Sequence, residues 1–164
     1  MRPLKQLAVS LSTGFGLGHS PIVPGTIGCL LGIPLVWGIQ FTGHRFGHEI
    51  LTQLVAAVLL SLIAIPICHA GEEAAGHKDP SCVVADEYLT FPISMIGLPF
   101  TPVMIAISFL TNRVLDITKP FPARQLQVLP GGIGITVDDV CSATYSLALN
   151  QIAYRVLLHM GWLG

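Results

Sequence analysis

Tyr88-Leu-Thr-Phe-Pro-Ile-Ser-Met-Ile-Gly-Leu-Pro-Phe-Thr-Pro-Val-Met-Ile-Ala-Ile-Ser-Phe-Leu110 runs for 23 residues without a charge. By length it could cross a bilayer, which takes about 20 apolar residues. Its centre argues otherwise. Gly97-Leu-Pro-Phe-Thr-Pro102 places Gly before Pro and a second Pro three residues later. That is turn chemistry, because proline lacks the amide hydrogen and clashes with the preceding helical turn. The stretch therefore reads as two half-length helices, Asp86–Ile96 and Pro102–Lys119, folded as a hairpin. Eleven residues of helix reach only about 16 Å, against a hydrocarbon core of roughly 30 Å. A re-entrant hairpin is tolerated at that depth if protein covers its turn.

Three other apolar segments flank this one. Ile27–Phe41 contains Gly32, Pro34 and Gly38, Ile50–Cys68 is uncharged, and Val140–Leu158 carries Asn150, Gln151 and Arg155. The expected fold is all-α: one helical integral membrane domain over residues 1–164, with about three spanning helices plus the re-entrant hairpin. Composition agrees. Only 10% of the 164 residues are charged and 52% are hydrophobic, whereas soluble domains carry about 25% charged residues. Mean hydropathy is +0.71. A domain of this size cannot hide so much apolar surface, so an ordinary soluble enzyme and a disordered chain are both excluded. The net charge of −1 leaves no basic excess for a nucleic-acid backbone. Leu7–Leu11 is too short for a signal-peptide core and runs into glycines, so no cleavage is expected.

The hairpin decides the topology, because it returns the charges on either side of it to one membrane face. With the N-terminus inside, helix 27–42 crosses outward and helix 50–68 crosses back. Residues 69–139 stay inside apart from the hairpin, and helix 140–160 crosses outward. Arg2, Lys5, Lys78, Arg113, Lys119 and Arg124 then lie inside, against Arg45 and Arg155 outside, as the positive-inside rule requires.

Eight of the nine acids lie between Glu72 and Asp139. They form the groups Glu72/Glu73, Asp79/Asp86/Glu87, Asp116 and Asp138/Asp139, interleaved with Lys78, Arg113, Lys119 and Arg124. Acids beside an apolar slab are costly unless paired, hydrated or bound to a cation. Oxygen ligands with few histidines suit a hard cation, magnesium before zinc. Magnesium takes one or two carboxylates and fills other positions with water and substrate phosphate, while Lys and Arg hold the remaining phosphate oxygens. That mixture suits metal-assisted attack on a phosphate ester. The plainer alternative is that Asp86 and Asp138 sit at helix starts and cap them, and that Arg113 pairs with Asp116 at i,i+3.

The glycine-rich stretch Thr13–Gly28 lacks the lysine of a P-loop. Thr26 is placed to cap the following helix, and Gly25 lets a backbone come close to a ligand. A second run, Gly131-Gly-Ile-Gly134, is placed to form the turn before Asp138. Cys29, Cys68, Cys82 and Cys141 form no CxxC and read as packing residues. The histidines read as surface or interfacial.

Taken together the motifs resemble the phosphatidylglycerophosphatase A family. The matching stretches are Gly18-His-Ser-Pro-Ile-Val-Pro-Gly-Thr-Ile-Gly28, Asp79-Pro-Ser-Cys-Val-Val-Ala-Asp-Glu87, Arg113-Val-Leu-Asp-Ile-Thr-Lys-Pro-Phe-Pro122 and Gly131-Gly-Ile-Gly-Ile-Thr-Val-Asp-Asp139. They come in the family's order and cover most of the chain. Thr90 and Cys29 depart from the usual Gly and Ser. The resemblance implies a bacterial, magnesium-dependent lipid phosphatase of phospholipid biosynthesis. It would convert phosphatidylglycerophosphate to phosphatidylglycerol as a multi-pass protein of the cytoplasmic (inner) membrane, its active site facing the cytoplasm. It implies catalytic roles for Asp79, Asp86, Glu87, Asp116, Asp138 and Asp139, with Mg2+ on Asp86, Glu87, Asp138 and Asp139. Lys119, Arg113, Ser20, Gly25 and Thr26 would bind the substrate phosphate.

Two other classes make different predictions. A non-catalytic protein handling cations would distribute acids through the depth of its bundle. A structural subunit would use its acids only as helix caps. The long segments are almost free of acids, which favours the enzyme.

Overall fold

The chain reverses direction at Gly97–Pro102, as its turn chemistry requires. The computed structural model describes residues 3–162, which contain helices and no strand. In order these are α1 (Pro3–Ser12), α2 (Pro24–Leu30), α3 (Gly32–Phe46), α4 (Glu49–Ala75), α5 (Ala85–Thr90), α6 (Pro102–Thr118), α7 (Ala123–Leu126) and α8 (Gly131–His159). Short 3-10 helices occupy Leu17–His19 and Phe91–Met95. Arg2 lies outside the described residues.

The first hairpin arm is less regular than the expected Asp86–Ile96 helix: α5 ends at Thr90 and the chain tightens into the 3-10 turn. Pro92 is the physical cause, since it has no amide hydrogen to continue the α ladder. The second arm opens with Pro102 at its first position and Thr101 as its cap, whose hydroxyl accepts the Met104 N–H at 3.3 Å.

Three glutamines cover the turn. Gln53 of α4 accepts the Gly97 N–H at 2.7 Å. Gln40 of α3 donates to the Leu98 carbonyl at 2.9 Å, and Gln151 of α8 to the Ile96 carbonyl at 2.8 Å. Turn amides and carbonyls away from water need such partners, each unmet one costing about 1–3 kcal/mol. This explains polar residues inside segments that are otherwise apolar.

Two stretches are long and apolar enough to cross a membrane: Pro24–Phe46, 23 residues formed by α2 and α3, and Glu49–Ala75, 27 residues. Less than a quarter of either is buried within the protein. Leu51, Val55, Val58, Leu59 and Leu62 of α4 face outward, a surface suited to lipid rather than water. The fourth apolar segment belongs to α8, whose polar residues turn inward. Ser142, Ser146 and Asn150 are buried there. Thr111 of α6 donates to Asn150 at 2.7 Å, and Asn150 donates to the Ser94 carbonyl at 3.0 Å.

α8 begins at Gly131, seven residues before Asp138. The glycine run is therefore its first turn and not a loop ahead of the acids. Tertiary packing accounts for this. A Cβ at Gly132 would lie 2.0 Å from the Ile65 carbonyl oxygen of α4, so only glycine lets these two backbones meet. Gly132→Ala should destabilise the fold by about 1–3 kcal/mol, the usual scale for overpacking. Thermal unfolding in detergent checks this, and an unchanged midpoint would overturn it.

Candidate active site

Four elements bring the acids to one end of the bundle. Asp79 stands in the loop before α5, Asp86 and Glu87 in the first turn of α5, Asp116 near the end of α6, and Asp138 and Asp139 in the second and third turns of α8. Asp86 and Asp116 are 8% and 9% exposed, and Asp138 and Asp139 are 1% and 4% exposed. These are not capping positions. Val84 and Pro130 are the N-caps of α5 and α8, and neither helix has a side-chain cap. Nor are the acids confined to connecting loops, since Asp116, Asp138 and Asp139 project from long helices.

A cleft of about 290 Å³ opens here. Asp79, Asp86, Glu87 and Arg113 line it with Gly25 and Thr26. Asp116, Asp138, Asp139 and Lys119 stand outside that lining but interact electrostatically with Asp86 and Glu87. Arg113 pairs with Glu87 at 2.7 Å and with Asp116 at 2.9 Å. Lys119 pairs with Asp138, and the Asp79 carboxylate accepts from Gln127 at 2.5 Å.

Gly25 approaches protein, not open space: a Cβ there would lie 2.0 Å from Glu87 Oε1. Thr26 lies inside α2 and makes no cap; Val23 holds that position with φ 41°. The Ser20 hydroxyl serves a local turn with Ile22 and is not part of the cleft wall. Left-handed backbone is costly for residues with a Cβ, about 1–3 kcal/mol each, and tends to gather at functional sites. Asp79 (φ 47°), Lys119 (φ 43°) and Val23 adopt it around this cleft.

Several polar atoms are buried without a partner. Asp86 Oδ1 and Asp138 Oδ1 are unmet acceptors, and Arg113 Nε is an unmet donor. Burial, reinforced by the neighbouring Glu87, pushes the Asp86 carboxyl well above the carboxylate range. Burial raises Glu87 to about 8 against the pull of Arg113, and Asp138 to about 6 against Lys119. Asp139 is raised too, by burial and then by Asp116.

These shifts make stability depend on pH. The folded protein holds protons that the unfolded chain releases, so folding free energy is lost as pH rises. For Glu87 the window runs from its ordinary 4.5 to about 8, and for Asp138 from 3.8 to about 6. Without divalent cations the unfolding midpoint should therefore fall between pH 5 and pH 8. A flat or rising midpoint in chelator would overturn this.

A divalent cation would relieve the repulsion among these buried acceptors, and oxygen donors suit a hard one. Among the described residues no three His, Cys, Asp or Glu side chains form a ready-made metal cage. Magnesium does not require one, since it keeps water and substrate oxygens in most positions.

Sequence reading passed over Lys78, Arg124 and Gln127 as site residues. They line a second depression that shares Asp79 with the cleft. The available signal was Lys78 one residue before Asp79, with Arg124 on α7 and Gln127 at its end.

The family profile described as Phosphatidylglycerophosphatase A matches residues 10–154. An Escherichia coli protein named "Phosphatidylglycerophosphatase A" is 34% identical over 85% of this chain and 78% of its own. One of the same name from Haemophilus influenzae is 32% identical over 94% and 97%. A Bacteroides thetaiotaomicron protein named "Putative phosphatidylinositol-3-phosphatase" is 32% identical over 92% and 96%. No solved structure matches. With the profile spanning nearly the whole chain, including every acid of the cleft, the protein belongs to the phosphatidylglycerophosphatase A family.

Proposed function

We propose that the protein removes the terminal phosphate monoester of phosphatidylglycerophosphate to give phosphatidylglycerol, with magnesium as cofactor. The observation that carries this reading is the set of unmet groups at and beside the cleft, where Asp86 and Arg113 line its wall and Asp138 stands behind it. Buried carboxylate oxygens of Asp86 and Asp138 want a cation, and the buried Arg113 Nε wants an anion.

Asp86 and Asp138, flanked by Glu87 and Asp139, are the residues that would hold magnesium. When bound, the metal neutralises phosphoryl oxygens and makes water more acidic. The remaining work belongs to the chain. Arg113, fixed by Glu87 and Asp116, offers Nε to a phosphate oxygen without losing its two ion pairs. Lys119 adds a second positive charge beside Asp138. Positioned cations stabilise the charge of a transferring phosphoryl group.

The membrane arrangement proposed with this is the three spans and re-entrant hairpin, with the cleft on the cytoplasmic side. Acyl chains then stay in the bilayer while the phosphate meets the acids at its surface. A cysteine introduced at Leu98 should resist labelling from outside; efficient labelling from that side alone would contradict the hairpin.

The decisive experiment is phosphate release from phosphatidylglycerophosphate by the purified full chain in detergent, with magnesium and with chelator. Release that needs magnesium is expected. No release from a folded sample would overturn the proposal. Phosphatidylinositol 3-phosphate belongs in the same assay, because the Bacteroides relative carries that substrate in its name. Faster turnover of that lipid would reassign the substrate.

A further inference from the structure

The catalytic cleft has a neighbour. Lys78, Asp79, Arg124, Gln127 and Val128 line a depression of about 420 Å³ that meets the cleft at Asp79. Asp79 is the shared wall, held by Gln127 at 2.5 Å. That bond occupies one oxygen of its carboxylate. Among the described residues neither Lys78 nor Arg124 has an acidic partner within 4.0 Å. Lys78 Nζ donates to the Val128 carbonyl at 3.1 Å, which steadies the ammonium without neutralising it. This differs from the cleft itself, where Arg113 and Lys119 are both paired with acids. The depression thus presents two cations without a direct ion pair, meeting the cleft at Asp79.

We infer that Lys78 and Arg124 bind the phosphodiester of the lipid head group while its terminal monoester occupies the catalytic cleft. This deepens the proposed function and rests on it. Two anionic groups joined by a glycerol bridge match two adjoining sites on either side of Asp79. The monoester goes to the site that has unmet carboxylates and Arg113. The diester carries one charge and no reacting atom, and it goes to the site that has cations and no unmet acid. Binding energy gained at a part of the substrate that does not react holds the monoester in place. The pair therefore selects lipids that carry a diester behind the monoester. It rejects those whose monoester sits directly on diacylglycerol.

Kinetics of the full chain in mixed micelles with magnesium test this. The substrates are phosphatidylglycerophosphate, which has both phosphates, and phosphatidic acid, which has only the monoester. Charge-assisted hydrogen bonds contribute about 1.5–3 kcal/mol, so Lys78→Gln with Arg124→Gln should raise KM for phosphatidylglycerophosphate about tenfold or more. Its kcat should change little, and turnover of phosphatidic acid should be the same as in the parent protein. Lys78→Arg with Arg124→Lys should restore the KM. An unchanged KM for phosphatidylglycerophosphate would overturn the inference. So would an equal loss on both lipids, or a parent protein that turns over phosphatidic acid as well as phosphatidylglycerophosphate. If the parent releases no phosphate from phosphatidylglycerophosphate, the catalytic reading itself fails, a result separate from any effect of the variants.

Discussion

Asp86→Asn should reduce phosphate release by about a hundred- to a thousandfold, the scale seen when one charge-stabilising group is removed from an active site. The fold should survive, and its unfolding midpoint at pH 8 should stay level or rise. Both expectations come from one observation. Asp86 is buried, its Oδ1 has no partner, and its surroundings are other acids. Ionising it there costs energy that a neutral amide of the same shape does not incur. A residue kept for stability would behave in the opposite way. If Asp86 served to cap α5, its replacement would cost about 1 kcal/mol and spare the chemistry. Parallel phosphate-release and thermal-unfolding measurements separate the two. A destabilised variant that retained turnover would overturn the catalytic role. With both results, stability and activity would trade against each other at this residue.

Arg113→Ala should destabilise the protein by about 3–5 kcal/mol, the cost of leaving buried charges without their counterion. Arg113 holds Glu87 at 2.7 Å and Asp116 at 2.9 Å, and all three side chains are 12–13% exposed. Removing it strands both carboxylates beside Asp86 and Asp139. It also removes the one guanidinium that lines the cleft among the described residues. Arg113→Lys should recover part of the stability, since an ammonium supplies the charge. It should recover less of the activity, because it lacks the planar fork that serves two carboxylates and a phosphate together. Thermal unfolding with kinetics would check both variants. Equal activity in Arg113→Lys and the parent would show that charge alone suffices there.

The turn was legible because its signal is local. Proline and glycine act on their own backbone, so Gly97–Pro102 announces a reversal wherever it stands. The extent of the first arm was less legible. Pro92 lies within a stretch that hydropathy treats as uniform, and it converts the end of α5 into a 3-10 turn. The polar residues Gln40, Gln53 and Gln151 looked like blemishes in apolar segments. Their purpose depends on a turn that lies 44 to 58 residues away for the bonds they make. No local rule could supply it.

The candidate site divides in the same way. Acid clustering along the chain pointed to the residues that the structure gathers at one end of the bundle, because charge next to an apolar slab is costly wherever the chain goes. Sequence did not show their roles. The spacing of Asp86 and Asp138 suggested helix caps. The structure instead starts α8 at Gly131, because the Gly132–Ile65 contact lets the helix run on against α4. Gly25 suggested a ligand contact, but Glu87 is what comes close. Lys78 and Arg124 stood out only as bases interleaved with the acids, since their meeting beside Asp79 is a tertiary event.

By itself, then, the sequence determined the apolar character of the chain, the helical class, the turn at Gly97–Pro102 and where the acids lie along it. These follow from composition and from backbone chemistry that acts over a few residues. Only the tertiary structure decided which acids are buried, which oxygens lack partners and which cations stand without a direct ion pair. Those properties depend on distances between residues far apart in the chain.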